Sequence, residues 1–180
     1  MDIDIYRYIQ QISADKYDVI RKNLQLDHET FETLLPEFFK GMYIMSVHGR
    51  SFCPYLEQLD KFWHEFIIQT EVYFHLCHNV LPNKTYIHHE SITLSDWQQR
   101  NKLNYADNMS THFIQLGFYY HYFGKLTELQ IEHWLAPHFL NKKLGKNLLE
   151  LNEIAKAFAA ELCFKSSTFD NVKRMRHVTC

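Results

Sequence analysis

A chain of 180 residues, 46% hydrophobic and 16% aromatic, is long enough to bury a substantial core in one domain without disulfides. Its formal net charge is −2, from 19 basic and 21 acidic residues, so composition argues against nucleic acid or an anionic membrane as partner. No apolar run approaches the ~18 residues that a membrane span needs.

The cysteines and the N-terminus indicate the compartment. The four cysteines show no CxxC pair and no regular spacing, which argues against a zinc knuckle or a disulfide framework: Cys53, Cys77, Cys163 and Cys180. The opening MDIDIYRYIQ lacks the basic and apolar regions of a signal peptide. We therefore expect a cytoplasmic location, and export without a cleaved signal stays open as an alternative.

Helix signals begin at the N-terminus. A short first helix is expected over 3–12, and a second helix from a cap at Ser13 to about Asn23. Asp27 is a good N-cap for a third helix, whose apolar residues keep helical spacing. Pro36 is expected to bend that third helix or to mark its first turn.

The middle of the chain predicts a long helix from about Tyr55 to Val80, ended by Pro82. Ser95 and Gln98 form a capping box for a helix through the 100s. A restart at Ser110 or Thr111 would then give a helix that ends at Gly124. The segment KTYIHHESITL is the one candidate extended stretch.

The C-terminal part contains a second capping box, Thr127 with Gln130, which opens a helix over LTELQIEHWLAPHF. A last helix is expected from about Leu144 to Phe164. The prediction is an all-α, single-domain bundle of roughly six to seven helices around an aromatic-rich core, covering 1–166. Residues 167–180 are expected to form a basic, solvated tail.

Residues 59–90 hold five of the twelve histidines. If the long helix is continuous, at about 100° per residue, four polar residues lie within about 40° of His64 on one face: Asp60, Glu71, His75 and His78. The opposite side is then apolar and predicted to be buried: Leu59, Phe62, Phe66, Val72, Tyr73 and Leu76. A solvated stripe on an amphipathic helix is the simplest interpretation.

Two groups in this stripe could also do chemistry. Asp60 and His64 stand at i and i+4, where the carboxylate could orient the imidazole. The set Glu71, His75 and His78 could present two imidazoles and a carboxylate to one metal. About 16 Å of helix rise separates His64 from His75, so the two groups cannot share an ion. A site at His64 needs ligands from elsewhere: first His88 and His89, then His112, His121, His133 and His138.

The segment from 60 to 89 also carries polar and aromatic residues in a distinctive order: Asp60, Trp63, His64, Thr70, Tyr73, Cys77, His88 and His89. This order resembles the signature of the glycine-rich-domain-containing proteins of plants and bacteria, an Asp-x-x-Trp-His helix followed by Thr, Tyr, Cys and His-His. The match covers about a sixth of the chain, and Phe66 stands where that family usually has a second histidine. The resemblance favours this set over Glu71, His75 and His78, but it implies no defined activity.

Two functions follow as expectations. The first is a transition-metal or small-ligand site formed by His64, His88, His89 and Cys77, oriented by Asp60, with zinc the best-suited metal. The second is a non-catalytic helical module with an unidentified partner and a recognition surface formed by Trp63, Trp97, Trp134 and the FYYHYF stretch at 118–123. In that case the Trp-His and His-His signature is a structural hydrogen-bond network of Asp60, His64 and His88. Catalytic residues, and whether the chain is an enzyme, stay open.

Overall fold

The computed structural model describes residues 3–48, 54–89 and 105–161, with the side chains of 105–108 outside that description. Within these ranges the chain is all-α and forms one domain around a buried aromatic cluster, so the predicted fold class is confirmed. The helices are α1 Tyr6–Ile9, α2 Ala14–Asn23, α3 His28–His48, α4 Glu57–Ile68, α5 Thr70–His75, α6 Tyr105–Phe123, α7 Glu128–His133, α8 Leu135–Leu144 and α9 over 148–161. A π-helical turn, Leu76–Val80, continues α5.

None of the helices in the described ranges combines the length and the apolar character that crossing a membrane would require. The helix expected after Ser95, the end of the last helix near Phe164, the domain boundary at 166 and the basic tail over 167–180 fall outside the described residues.

Helix α3 is the central element of the described fold, and its start follows the predicted signal. The Asp27 carboxylate accepts a hydrogen bond of 2.7 Å from the backbone N–H of Thr30, as an N-cap does. Pro36 lies inside the helix rather than in its first turn. Phe38 and Phe39, which follow it, have no solvent exposure.

The contact between α3 and α4 is aromatic. The ring of Phe38 stacks on that of Phe66 with centroids 4.5 Å apart, and Phe31 stacks on Phe62 at 5.3 Å. Phe62 and Phe66 are fully buried, and burying each such side chain contributes about 1.5–3 kcal/mol. Phe66, the position where the resembling family usually has a histidine, is therefore part of the core.

The prediction of one continuous helix from Tyr55 to Val80 is wrong. Helix α4 ends at Ile68, because Gln69 has a ψ of 68° and leaves the helical region. Gln69 still accepts from the backbone N–H of Tyr73 at 2.9 Å and donates its own N–H to the carbonyl of Glu65 at 3.1 Å. One helix thus ends and the next begins at the same residue without loss of these hydrogen bonds, so the break needs no glycine or proline.

A second break divides the helix predicted over LTELQIEHWLAPHF. Its capping box is confirmed, since Gln130 Oε1 accepts from the backbone N–H of Thr127 at 2.6 Å. Trp134, however, has extended backbone angles and forms an isolated antiparallel bridge with Tyr55. The N–H of Leu135 donates to the carbonyl of Pro54 at 2.8 Å, so tertiary bonding interrupts the helix.

The ends of two further helices also test the sequence signals. Helix α6 begins by Tyr105 and continues through Ser110 and Thr111, so there is no restart at those residues. It ends as predicted at Gly124, which has a φ of 81°. The expected start of the last helix at Leu144 is wrong, because α8 ends there and α9 begins at 148.

A buried carboxylate joins α3 to α6 and to the junction between α7 and α8. The Glu37 side chain is 3% exposed and forms a 2.5 Å ion pair with Lys40. It also accepts a 2.9 Å hydrogen bond from the indole N–H of Trp134 and faces the hydroxyl of Tyr119 at 3.5 Å. A buried charge is tolerated when it is paired and hydrogen-bonded, as Glu37 is here.

We predict that Glu37→Gln lowers the free energy of unfolding by about 1–3 kcal/mol, because it removes the charge from these hydrogen bonds while keeping the side-chain volume. Urea unfolding at pH 7 measures the change. The matched control is Glu57→Gln, which alters an exposed i, i+4 pair with Lys61 and should leave stability unchanged. Equal effects of the two substitutions would contradict a stabilising role for the buried carboxylate.

Candidate functional site

Two side chains of α4 and one from the segment after the π-helical turn converge at the surface. The Asp60 carboxylate lies 2.9 Å from His89 Nε2 through Oδ1 and 3.3 Å from His64 Nδ1 through Oδ2. One ligand-type atom from each of the three residues lies within 4.8 Å of the others. Within the described ranges, these residues form the group of His, Cys, Asp or Glu side chains that could hold one ion.

The local fold explains this convergence. Asp60 and His64 share a face because they stand one helical turn apart, while Phe62 and Phe66 direct the opposite face into the core. His89 arrives from the non-helical segment 81–89, and its ring contacts that of His64 with centroids 4.3 Å apart. The side chains of Asp60, His64 and His89 are 33%, 45% and 10% exposed, so the site is open to solvent on one side.

The chemistry of these groups allows two uses. A carboxylate oxygen and two imidazole nitrogens are ordinary ligands of zinc and other borderline transition metals. Two ligands of one tetrahedral zinc lie about 3.4 Å apart, given Zn–N and Zn–O bonds of about 2.0–2.2 Å. The three ligand-type atoms lie within 4.8 Å of one another, so modest side-chain adjustments would bring them to that spacing. Without an ion, His89 donates to the Asp60 carboxylate and thereby joins the segment 81–89 to α4.

A buried hydrogen-bond network lies behind this group. The indole N–H of Trp63 donates to the hydroxyl oxygen of Tyr73 at 2.9 Å, and that hydroxyl donates to the carbonyl of Ile87 in a short hydrogen bond. Cys77 stands four residues after Tyr73 and is also buried. Burial raises the pKa of Cys77 and that of Tyr73, so both stay protonated at neutral pH.

The predicted ligand residues thus divide into three positions. His64 and His89 are in the convergent group, and Asp60, expected to orient a ligand, is itself placed as a potential ligand. His88 is exposed, and its ring contacts that of Tyr86 at 4.9 Å. Cys77 is fully buried. The structure does not bring His88 and Cys77 into the group. The i, i+4 spacing of Asp60 and His64 was the sequence signal that Asp60 belongs to it.

The other predicted set is not assembled. Glu71 has a side chain that is 90% exposed. His75 Nε2 donates to the carbonyl of Gln11 at 3.2 Å, and His78 Nδ1 donates to the carbonyl of Lys84 at 3.1 Å. Both imidazoles therefore bond to the backbone of nearby segments rather than to a common centre.

The remaining candidate histidines lie elsewhere in the fold. His138 Nδ1 donates to the carbonyl of Ile131 at 3.0 Å, His133 Nε2 lies 3.9 Å from a carboxylate oxygen of Glu132, and the ring of His121 lies beside Tyr122. None of the three belongs to the convergent group found among the described residues.

His112 is the exception among the histidines, because its ring is buried with neither nitrogen bonded. The residue is 1% exposed and its ring stacks on Phe139 with centroids 4.4 Å apart. Neither ring nitrogen has a hydrogen-bond partner among the residues that the structure describes. Burial lowers the pKa of His112 to about 4, so the imidazole is neutral at pH 7.

No family model matches this chain, and neither a curated protein nor a solved structure matches it. The likeness to glycine-rich-domain-containing proteins stays a resemblance in the motif residues between Asp60 and His89.

We predict that His112 makes the fold sensitive to acid. Its folded pKa lies below the ordinary histidine value of 6.5, so protons favour the unfolded state, and stability present above pH 6.5 is lost as the pH falls toward 4. The expected loss from this residue is about 2 kcal/mol at pH 5. His112→Leu should remove that loss and leave stability at pH 7 equal or higher, because the nitrogens it deletes have no partners.

Urea unfolding of both proteins at pH 7 and pH 5 checks the His112 prediction. The two proteins differ only at position 112, so the difference between their pH-dependences isolates His112. Identical pH-dependence in the wild type and His112→Leu would contradict it.

Proposed function

We propose that this chain binds a divalent transition metal through Asp60, His64 and His89, with zinc as the first candidate. The observation that carries the proposal is the convergence of one carboxylate oxygen and two imidazole nitrogens within 4.8 Å at a half-open surface. Two histidines and a carboxylate are a ligand set that proteins use for zinc and for non-haem iron(II).

The exposure of the three side chains supports a site with free coordination positions. Three protein ligands leave at least one position of a tetrahedral zinc for water or a small ligand. His64, the most exposed of the three, lies on the side from which such a ligand would approach. A bound metal would polarise that ligand or lower the pKa of a bound water, which is the basis of hydrolytic chemistry.

A structural role of the same residues is the second candidate, because the Asp60–His89 hydrogen bond joins α4 to the segment 81–89 without any ion. It differs from the predicted network of Asp60, His64 and His88, since His89 rather than His88 makes this bond. The expected tryptophan surface is wrong for Trp63 and Trp134, which are 3% and 2% exposed, and Trp97 lies outside the described residues. The remaining part of that expected surface is the stretch 118–123 of α6, where all side chains but that of Tyr119 are half-buried.

We predict that protein purified without a polyhistidine tag binds about one zinc ion per chain, and that His64→Ala and His89→Ala each abolish this binding. Elemental analysis and calorimetric titration with zinc measure it. His88→Ala is the matched control, because it removes the adjacent histidine from outside the group and should leave binding unchanged. Affinity should fall as the pH falls, since an imidazole must be neutral to bind a metal.

The structural alternative gives a different pattern. If no variant or wild-type protein takes up zinc, and Asp60→Asn lowers the free energy of unfolding by about 1–3 kcal/mol, the residues act as a hydrogen-bonded connection. If the metal proposal holds, zinc at 100 times its Kd should stabilise the wild type by about 2.7 kcal/mol and leave Asp60→Asn nearly unaffected.

A further inference from the structure

We infer that Tyr73 and Trp63 are positioning residues of the metal site: they fix the backbone at Ile87 and so place the imidazole of His89 against Asp60 and His64. This inference rests on the proposed metal-binding function. It assigns a role to the aromatic residues of the Trp-His motif, which touch no ion themselves.

Ile87 is held in place by a hydrogen bond and by packing. Its carbonyl accepts from the hydroxyl of Tyr73, which lies on α5. Ile87 itself is 3% exposed, and its position in the chain is therefore fixed by both hydrogen bonding and packing.

Trp63 connects the Tyr73–Ile87 hydrogen bond, called the Ile87 clamp below, to α4, the helix that carries Asp60 and His64. It lies on α4 between Asp60 and His64, is 3% exposed, and donates its indole N–H to the same Tyr73 hydroxyl oxygen. Its ring also meets the His89 ring edge-on, with centroids 4.3 Å apart. One side chain thus sets the distance between the helix that supplies two ligands and the segment that supplies the third.

The short distance along the chain makes the clamp effective. His89 follows Ile87 by two residues. Ile87 is buried and the His89 side chain is 10% exposed, whereas His88 between them is exposed, so Ile87 and His89 face inward together. Metal bonds tolerate errors of only about 0.2 Å, and a small displacement of Ile87 would carry His89 away from the other ligands. Partners that orient a metal ligand typically change metal affinity by about 10–100-fold when removed.

The test is Tyr73→Phe, which keeps the ring and removes only the hydroxyl. We expect the zinc Kd, measured by competition with a chromophoric chelator, to rise about 10–100-fold, and the absorption spectrum of the Co²⁺-loaded protein to change because the ligand geometry changes. Tyr119→Phe is the matched control: it removes another buried hydroxyl, one that bonds to Glu37 and Lys40 far along the chain. It should lower stability without altering the zinc Kd or the Co²⁺ spectrum.

Each outcome separates the inference from the function on which it rests. Zinc binding by the wild type with an unchanged Kd in Tyr73→Phe overturns the inference alone, as does an equal loss of affinity in Tyr119→Phe. A wild-type protein that takes up no zinc overturns the proposed function and the inference with it. If Tyr73→Phe does not fold, Trp63→Phe answers the same question, since it removes the indole donor and is expected to weaken zinc binding in the same range.

Discussion

The aromatic contact between α3 and α4 determines most of what the rest of the structure can do. Phe38 and Phe66 stack in a region without solvent, and Phe62 packs beside them against Phe31. Because Phe62 and Phe66 must face α3, the helical period places Asp60 and His64 on the opposite, solvent-facing side of α4. The position of the polar site is thus a consequence of hydrophobic packing, and the site can vary chemically without disturbing the core.

The buried polar groups of the core are of two kinds, those that are hydrogen-bonded and one that is not. Glu37 and the peptide of Ile87 are each bonded by side chains from other elements, so each connects parts of the fold that hydrophobic contact alone would leave free to slide. The ring of His112 stacks on Phe139, its nitrogens have no partner within the described ranges, and it is buried there as a neutral imidazole. Satisfied polar groups fix geometry in this protein, whereas the unsatisfied imidazole limits its stability toward acid.

The sequence predicts those features that depend on a few neighbouring residues. The cap at Asp27, the box of Thr127 with Gln130 and the end of α6 at Gly124 each need only local hydrogen bonding or a positive φ. The break at Trp134 follows from its bridge to Tyr55 and from the bond between Leu135 and Pro54, which are distant in the chain. The backbone bonds of Gln69 are to its neighbours Glu65 and Tyr73, and neither Gln69 nor Trp134 signals a break by itself. Because the helical periodicity was extended through Gln69, the sequence predicted that His64, His75 and His78 share one helix face, and the structure divides them between separate helical segments.

The site shows the same division. The spacing of Asp60 and His64 predicted that they lie together. The choice between His88 and His89 depends on which way Ile87 faces, and that depends on the hydrogen bond that Tyr73 of α5 donates to Ile87. An ion that enters the site must replace the Asp60–His89 hydrogen bond. The free energy of that bond is subtracted from the free energy of metal binding, and each 1.4 kcal/mol lost lowers the metal affinity about tenfold. Since Ile87 is held independently of the exchange, His89 can pass from the carboxylate to a metal without release of the segment that carries it. Under the proposed function, the Asp60–His89 hydrogen bond and the metal-bound form are two states of one arrangement, and the hydrogen bond from Tyr73 to Ile87 holds the segment in both.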